Sequence, residues 1–145
     1  MTKPLIVRRE IPASQAEVFD AFSCVEKLTS WFKPNSEMTV KALEFQIKHQ
    51  GRFRLQFVTP KGGSPIVVGT FLNLRRPEFI EMSWEWQAPD PLEGVPMKIA
   101  FCLGITDVGT EVVLTHTGNP SENAFTIHED GWIGTLKNLE SYLQA

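Results

Sequence analysis

The fold is decided by residues 113–143, VLTHTGNPSENAFTIHEDGWIGTLKNLESYL, in which the end of a strand, a Gly-Asn-Pro turn and a long helix follow one another. In the strand, Val112, Leu114 and His116 alternate with their neighbours, so all three side chains are expected to face the core. In the helix, one histidine shares a face with apolar residues at steps of three and four: Phe125, His128, Trp132, Leu136, Leu139 and Leu143. Two histidines should therefore point inward from consecutive elements.

The length and composition of the chain are those of one globular domain. Of its 145 residues 42% are hydrophobic and 21% are charged, which excludes a disordered or coiled-coil chain. A chain of this length can bury about two thirds of its unfolded surface in a single core. We therefore expect residues 1–145 to form one domain.

The charge pattern bears on partners and location. The formal net charge is -3 and no basic block occurs, so neither nucleic acid nor a membrane surface is expected as a partner. Near the amino terminus, Arg8, Arg9 and Glu10 stand where a signal peptide would need an apolar core, and no apolar window is long enough to span a bilayer. The sequence predicts a cytoplasmic protein.

Motifs for metals, cofactors and catalysis are missing from the sequence. The two cysteines, Cys24 and Cys102, are far apart and lack a CxxC spacing, so they are read as free thiols. The two inward histidines are too few to hold a metal, and no Gly-rich phosphate loop or nucleophile elbow occurs. We expect no metal, no cofactor and no dedicated set of catalytic residues.

The remainder of the chain reads as strand, two short helices and a run of strands. Alternating apolar residues predict a strand over residues 5–11, and Ser14 to Glu17 form a capping box that begins a helix. A second short helix should end before Pro34. About six strands follow over residues 40–117, with these apolar side chains expected on buried faces: Leu43, Phe45, Ile47, Phe53, Leu55, Phe57, Ile80, Met82, Trp84, Trp86, Val95, Met97, Ile99, Phe101, Leu103 and Ile105.

This order of elements predicts an α+β fold. A curved antiparallel sheet of six to seven strands has one long apolar face, and the carboxy-terminal helix is the element long enough to cover it. The sheet should therefore wrap around that helix. Because a twisted sheet seldom closes tightly along its whole length, a cavity is expected between sheet and helix.

Several motifs resemble the activator of heat-shock-protein-90 ATPase homologue-like family of the START-like (SRPBCC) superfamily. They are Pro12-Ala13, Glu17-Val18-Phe19, Trp31-Phe32-Lys33-Pro34, Leu74-Arg75-Arg76-Pro77 and the closing helix with Gly131-Trp132. The resemblance covers nearly the whole chain and implies a single START-like domain with a helix-grip fold and a hydrophobic cavity. Two departures, a lone Gly51 for a Gly-Gly pair and Trp31-Phe32 for a Trp-Trp pair, bear on the cavity's shape.

The residues expected to bind a ligand are inward-facing aromatic, histidine and leucine side chains. They are Phe53, Phe57, Trp84, Phe101, His116, His128, Trp132 and Leu136. Each aromatic could equally be plain core, since burying one contributes roughly 1.5 to 3 kcal/mol to folding. The two histidines could satisfy one another's nitrogens as structural groups, or form the polar end of an apolar pocket.

Two further side chains carry expectations about packing. Arg9 lies in phase with Val7 and Ile11, and is expected to reach past the strand end rather than pair with a buried carboxylate. Gly131 is expected to permit close packing of the helix on the sheet.

Three functions follow from this reading. The first is a binding protein that holds a small hydrophobic or amphipathic molecule between sheet and helix. The second is a cochaperone-like domain acting on a heat-shock-protein-90 type ATPase, which the family resemblance implies. The third is a cyclase or dehydratase in which His116 or His128 moves a proton. The sequence is also compatible with a homodimer formed through an outer strand face or an open sheet edge.

Overall fold

The computed structural model describes residues 3–145. They form seven strands and three helices, separated by turns. The elements are β1 (Leu5–Ile11), α1 (Gln15–Asp20), α2 (Val25–Trp31), β2 (Thr39–Phe45), β3 (Arg52–Val58), β4 (Ile66–Arg75), β5 (Phe79–Trp86), β6 (Met97–Ile105), β7 (Thr110–Thr117) and α3 (Glu122–Gln144). Residues 1 and 2, which belong to the predicted domain 1–145, lie outside the described part.

The strands form one antiparallel sheet in the order β1-β7-β6-β5-β4-β3-β2. The first strand pairs with the last, so that Leu5 lies opposite His116, and the two short helices carry the chain to the far edge where β2 begins. Consecutive strands from β2 to β7 are joined as a meander. The α+β fold predicted from the sequence, with seven strands and a long carboxy-terminal helix, is confirmed.

The short helix α1 begins as its sequence predicts. The Ser14 hydroxyl accepts a hydrogen bond from the Glu17 backbone N–H at 3.1 Å, and the Glu17 carboxylate accepts one from the Ser14 N–H at 3.0 Å. These reciprocal bonds satisfy two backbone donors that the first helical turn leaves free. They also hold the pKa of the Glu17 carboxyl below its usual value, because its hydrogen bonds with Ser14 favour the ionised form.

The core lies between α3 and the concave face of the sheet, where α2 closes one side. The inward face of α3 carries Ala124, His128, Trp132, Thr135, Leu136 and Leu139, all buried. Trp132 meets Phe32 and Phe101 in edge-to-face contacts with ring centroids 5.8 and 6.1 Å apart. Such contacts contribute beyond simple burial, so this aromatic cluster fixes how the helix sits on the sheet.

Two apolar residues expected on buried faces are exposed. Leu43 is 45% exposed, because a β-bulge shifts the register of β2 between Ala42 and Glu44 and reverses the alternation there. Ile105 is 78% exposed, because β6 extends beyond the core towards the hairpin turn that precedes β7. Both expectations were wrong for a local reason that alternation alone does not reveal.

Arg9 pairs with a half-buried carboxylate instead of reaching past the end of its strand. Its Nε lies 2.7 Å from Oε1 of Glu140, and the two side chains are 34% and 29% exposed. The expectation from the sequence was wrong because the partner lies on α3, 131 residues away. The ion pair ties the edge strand β1 to the carboxy-terminal half of the helix.

The glycine that permits a close approach is Gly134 and not Gly131. A Cβ added at Gly134 would overlap the backbone carbonyl of Pro34, whereas one at Gly131 would meet only the Pro34 side chain at an ordinary 3.7 Å. The expectation for Gly131 was therefore wrong in both position and partner. The close contact is between α3 and the loop that follows α2, and it does not involve the sheet.

Alanine at these two positions should have opposite effects on stability. We expect Gly134→Ala to lower the free energy of unfolding by about 2 kcal/mol, because the new methyl group meets a backbone atom that cannot turn aside. Gly131→Ala should raise it by up to about 1 kcal/mol, since alanine favours the helix and has room. Urea unfolding followed by circular dichroism measures both, and equal effects would contradict the assigned contact.

Candidate ligand-binding site

A cavity of about 600 Å³ lies beside α3 and opens partly to solvent. Aromatic side chains from four segments form its walls: Phe32 after α2, Phe57 on β3, Trp84 and Trp86 on β5, and Trp132 on α3. Alternation along β5 would send Trp84 and Trp86 to the same face, and the helical period brings Trp132 against them. The cavity is therefore lined by side chains that the regular elements position.

The aromatic side chains of the cavity wall pack directly on one another. The ring centroids of Trp84 lie 5.1 Å from those of Trp132 and 5.8 Å from those of Trp86. The Trp84 and Trp86 rings are perpendicular, with an interplanar angle of 90°. These arrangements are favoured by the quadrupoles of the rings, so the wall is held by attraction as well as by its backbone.

Two loops and the outer side of α3 supply the mouth of the cavity. Pro34 and Met38 come from the loop after α2, and Asp90 and Leu92 come from the loop after β5. Ile127, on the outer side of α3, is 60% exposed and borders the opening. The mouth is thus apolar for most of its circumference, with a carboxylate on the loop after β5.

His116 is fully buried behind the wall and holds Trp132 in place. The Trp132 indole N–H donates to its Nδ1 at 2.9 Å, and its Nε2 lies 3.2 Å from the Met97 sulfur. An indole nitrogen can only donate, so Nδ1 must be the unprotonated nitrogen of a neutral ring. The proton therefore resides on Nε2, where it points at the sulfur.

His128 repeats this arrangement with the opposite tautomer. The Trp86 indole N–H donates to its Nε2 at 3.1 Å, so Nε2 carries no proton. Its Nδ1 carries the proton and donates to Oδ1 of Asn119 at 2.7 Å. Each histidine thus accepts from a cavity tryptophan and donates its remaining proton away from that tryptophan.

Both imidazoles are electrically neutral at neutral pH. Burial lowers the pKa of His116 to about 3, and the neighbouring His128 adds to the effect, with the two ring centroids 4.5 Å apart. Burial also lowers the pKa of His128, partly offset by the Ala124 backbone and the Asp90 carboxylate. The causes are the ordinary ones, desolvation of the charged form and repulsion between like charges.

Two buried N–H donors have no protein acceptor within residues 3–145. They are the indole N–H of Trp84 and the amide nitrogen of Asn119. Trp84 is only 3% exposed and belongs to the cavity wall. A buried donor without a partner costs about 1–3 kcal/mol, so either group would be stabilised by an acceptor brought into reach.

The structure divides the eight predicted ligand-binding residues into two groups. Phe57, Trp84, His128 and Trp132 line the cavity, and their contact with a ligand stays a prediction. The other four are core residues at most 1% exposed and stand behind the wall: Phe53, Phe101, His116 and Leu136. Sequence periodicity identified the correct face of each element, but not the depth of each side chain on that face.

The residues that sequence reasoning missed lie in loops. Asn119, which fixes His128, belongs to the Gly-Asn-Pro turn, and its side chain was not assigned a partner. Asp90 stands between two prolines in the loop after β5, where no period indicates direction. The only sequence signal for Asn119 was its place immediately before the histidine-bearing helix.

Other features of the described residues bear on partners and ions. No helix within residues 3–145 is long and apolar enough to cross a membrane. Within the same residues, no three His, Cys, Asp or Glu side chains are grouped as a metal site would require. Cys24 is half-buried and Cys102 is exposed on the outer face of β6, and both are free thiols.

Stability should fall in acid because of His116. Between its folded pKa of about 3 and the ordinary value of 6.5, the unfolded chain binds a proton that the folded protein does not. The free energy of unfolding should therefore be unaffected by His116 above pH 7 and should decrease by up to about 1.4 kcal/mol per pH unit below about 6.

His116→Asn tests this, because the asparagine Oδ1 can take the place of Nδ1 and still accept from Trp132. The variant should unfold in urea with a shallower dependence on pH between about 6 and 4 than the parent protein. An identical dependence in both proteins would show that His116 is not held neutral by the fold.

Solved structures with the same fold have little sequence in common with this chain. A protein from Chromobacterium violaceum superposes with a TM-score of 0.85 at 20% identity, over 97% of this chain and 96% of that one. The AHSA1 protein from Silicibacter pomeroyi gives 0.86 at 21% identity, over 98% of each chain. A protein from Staphylococcus epidermidis gives 0.82 at 21% identity, over 99% of this chain and 91% of that one. These likenesses show the fold.

The sequence comparison identifies the family. No curated protein matches the chain. The family model described as "Activator of Hsp90 ATPase homolog 1-like protein" matches residues 12–144, which include both histidines, the cavity wall and the whole of α3. The chain, with its START-like helix-grip fold, therefore belongs to the Activator of Hsp90 ATPase homolog 1-like protein family.

Proposed function

We propose that the protein binds a small hydrophobic or amphipathic molecule in the cavity between α3 and the sheet. The observation that carries this proposal is the cavity itself, about 600 Å³ with aromatic walls. Protein interiors pack as densely as organic crystals, and voids much larger than a water molecule are few. Sites for small molecules are typically clefts of about 300–1,000 Å³ with mainly apolar linings, and this cavity falls in that range.

The aromatic wall of the cavity is held in place by contacts within the protein. Trp132 and Trp86 are each anchored by a hydrogen bond to a buried histidine, and Trp84 packs between them. Side chains that are already fixed lose little conformational freedom when a ligand arrives, so more of the contact energy appears as affinity. The wall therefore supports binding without a large rearrangement.

The predicted site residues take different parts in this proposal. Phe57, Trp84, His128 and Trp132 would contact the ligand directly, because their side chains line the cavity. The other four, Phe53, Phe101, His116 and Leu136, would act from behind by supporting the wall. The apolar body of a ligand would lie against the aromatic rings, and its polar part would lie near His128 and Asp90.

Proton transfer by the histidines has little support. Because burial lowers its pKa to about 3, His116 stays neutral at pH 7. A general acid or base works best when its pKa lies near the operating pH, and it must reach the substrate. His116 does neither, and both nitrogens of His128 already have partners in the protein. A cyclase or dehydratase would need other groups.

The cochaperone-like alternative is supported by the description of the family and by no contact within the structure. Stimulation of a heat-shock-protein-90 type ATPase by the purified protein would favour it. Ligand binding and stimulation of the ATPase can be tested separately, because variants that fill the cavity should leave an interaction through the outer surface intact.

Filling the cavity should weaken ligand binding. Ala124 is buried, lies on α3 and lines the cavity, so Ala124→Phe would place a ring inside it. We expect the affinity for any bound fatty acid, sterol or aromatic compound to fall at least about tenfold, a loss of about 1.4 kcal/mol. Tryptophan fluorescence reports binding directly, because three of the four tryptophans form the wall.

The matched control is Ile133→Phe, which adds a ring to an exposed position of α3 outside the cavity lining. It should leave binding unchanged. If Ala124→Phe does not fold, Ile127→Trp at the cavity mouth serves the same purpose. The proposal fails if no compound of the panel changes the fluorescence or melting temperature of the parent protein.

A further inference from the structure

The charged side chains that border the cavity are all acidic. Asp90 on the loop after β5 and Asp130 on α3 belong to the lining, and no lysine or arginine does. Within the described residues, neither aspartate forms an ion pair with a protein cation. Two negative charges therefore face the cavity and its mouth without local compensation.

Two of the neighbouring polar groups, on Thr135 and Asp90, are acceptors with unused lone pairs. Nε2 of His128 is not one of them, because its single lone pair already accepts from Trp86. The Thr135 hydroxyl donates a hydrogen bond to the Gly131 carbonyl at 2.8 Å, and its oxygen lone pairs remain available to accept. Asp90 accepts one backbone N–H, from Leu92 at 2.8 Å, and its second carboxylate oxygen has no such bond. This polar surface favours a ligand group that donates hydrogen bonds.

The aromatic walls favour positive charge independently of the aspartates. Trp84, Trp86 and Trp132 contribute indole rings, which are the strongest cation–π partners among side chains. An ammonium group a few ångströms from an indole face is attracted by the ring's quadrupole, whereas a carboxylate is repelled by it. Two different sources of negative potential thus meet in one cavity.

Two features of the site oppose this preference. The buried indole N–H of Trp84, which has no protein acceptor within residues 3–145, would be stabilised by an acceptor on the ligand. Ser121 and Asn123 at the amino-terminal end of α3 also line the cavity, and a helix amino terminus carries about half a positive charge. The Ser121 hydroxyl already caps the Ala124 N–H at 3.1 Å, and Glu122 adds a negative charge in the first turn. The helix terminus contributes a partial charge, whereas Asp90 and Asp130 each contribute a carboxylate to the lining.

We propose that the cavity selects a cationic amphiphile, an aromatic or aliphatic body that carries an amine or quaternary ammonium group. This rests on the proposed function of the cavity as a ligand-binding site. The body packs against the tryptophans, and the cationic group lies between the indole faces and the carboxylates of Asp90 and Asp130. Carboxylic acids of the same body are disfavoured, since no basic side chain in the lining can receive them.

Three compounds that share a naphthyl body separate charge from hydrophobicity: naphthylmethylamine, naphthylmethanol and naphthoate. Isothermal titration calorimetry measures their affinities for the full chain at neutral pH. We expect the amine to bind about tenfold more tightly than the alcohol, and the carboxylate to bind most weakly. Raising the salt concentration to about 0.5 M should reduce the advantage of the amine, because mobile ions screen exposed charges.

The double variant Asp90→Asn and Asp130→Asn should remove most of the amine's advantage while leaving the alcohol's affinity unchanged. Asp107→Asn changes the same charge in the exposed turn at the opposite end of the β6–β7 hairpin from His116, and should leave all three affinities as they were.

The results distinguish the preference for cations from the ligand-binding function itself. Equal binding of the three compounds, or tightest binding of the carboxylate, would overturn the preference for cations and leave the ligand-binding function standing. Failure of the alcohol and the amine alike, together with the broader panel, would remove the ligand-binding function itself.

Discussion

The structure depends on one buried hydrogen bond, from the indole N–H of Trp132 on α3 to Nδ1 of His116 on β7. It links the covering helix to β7, the strand beside the edge strand β1, at a residue with no solvent exposure. Because the indole can only donate, the imidazole must stay neutral for the bond to exist. A charged ring there would lose the acceptor and would also be buried without a counterion, which is costly.

The second pair, Trp86 and His128, extends the same logic to the cavity's edge. Nδ1–H of His128 donates to Asn119 in the turn before α3, which leaves Nε2 to accept from the Trp86 indole N–H. Both histidines therefore act first as supports for tryptophans. This favours the structural reading of the two imidazoles at their present partners. All four ring nitrogens of the two histidines have partners within the protein, so neither ring offers a proton or a lone pair to the cavity.

The elements that carry this network could be predicted because their signals are local. The strand that ends at His116 alternates with a period of two, and the helix repeats near 3.6, so each pattern alone places its histidine inward. Neither pattern shows which atoms meet. Three features depend on residues that are distant in sequence. Arg9 pairs with Glu140, a Cβ at position 134 would overlap Pro34, and the loop after β5 places Asp90 at the cavity. Such contacts follow from the assembled fold.

The position of the cavity follows from how α3 is attached. Its carboxy-terminal half is drawn in by the ion pair with β1 and by the close approach of Gly134 to Pro34. Its amino-terminal half rests on bulky indole rings, which keep helix and sheet apart where the cavity lies. Removing apolar surface from water is favourable by about 25 cal/mol for each square ångström, and the exposed wall of the cavity lacks this stabilisation. A ligand that covers this wall recovers that free energy without moving the helix, which is the physical reason to expect an occupant there.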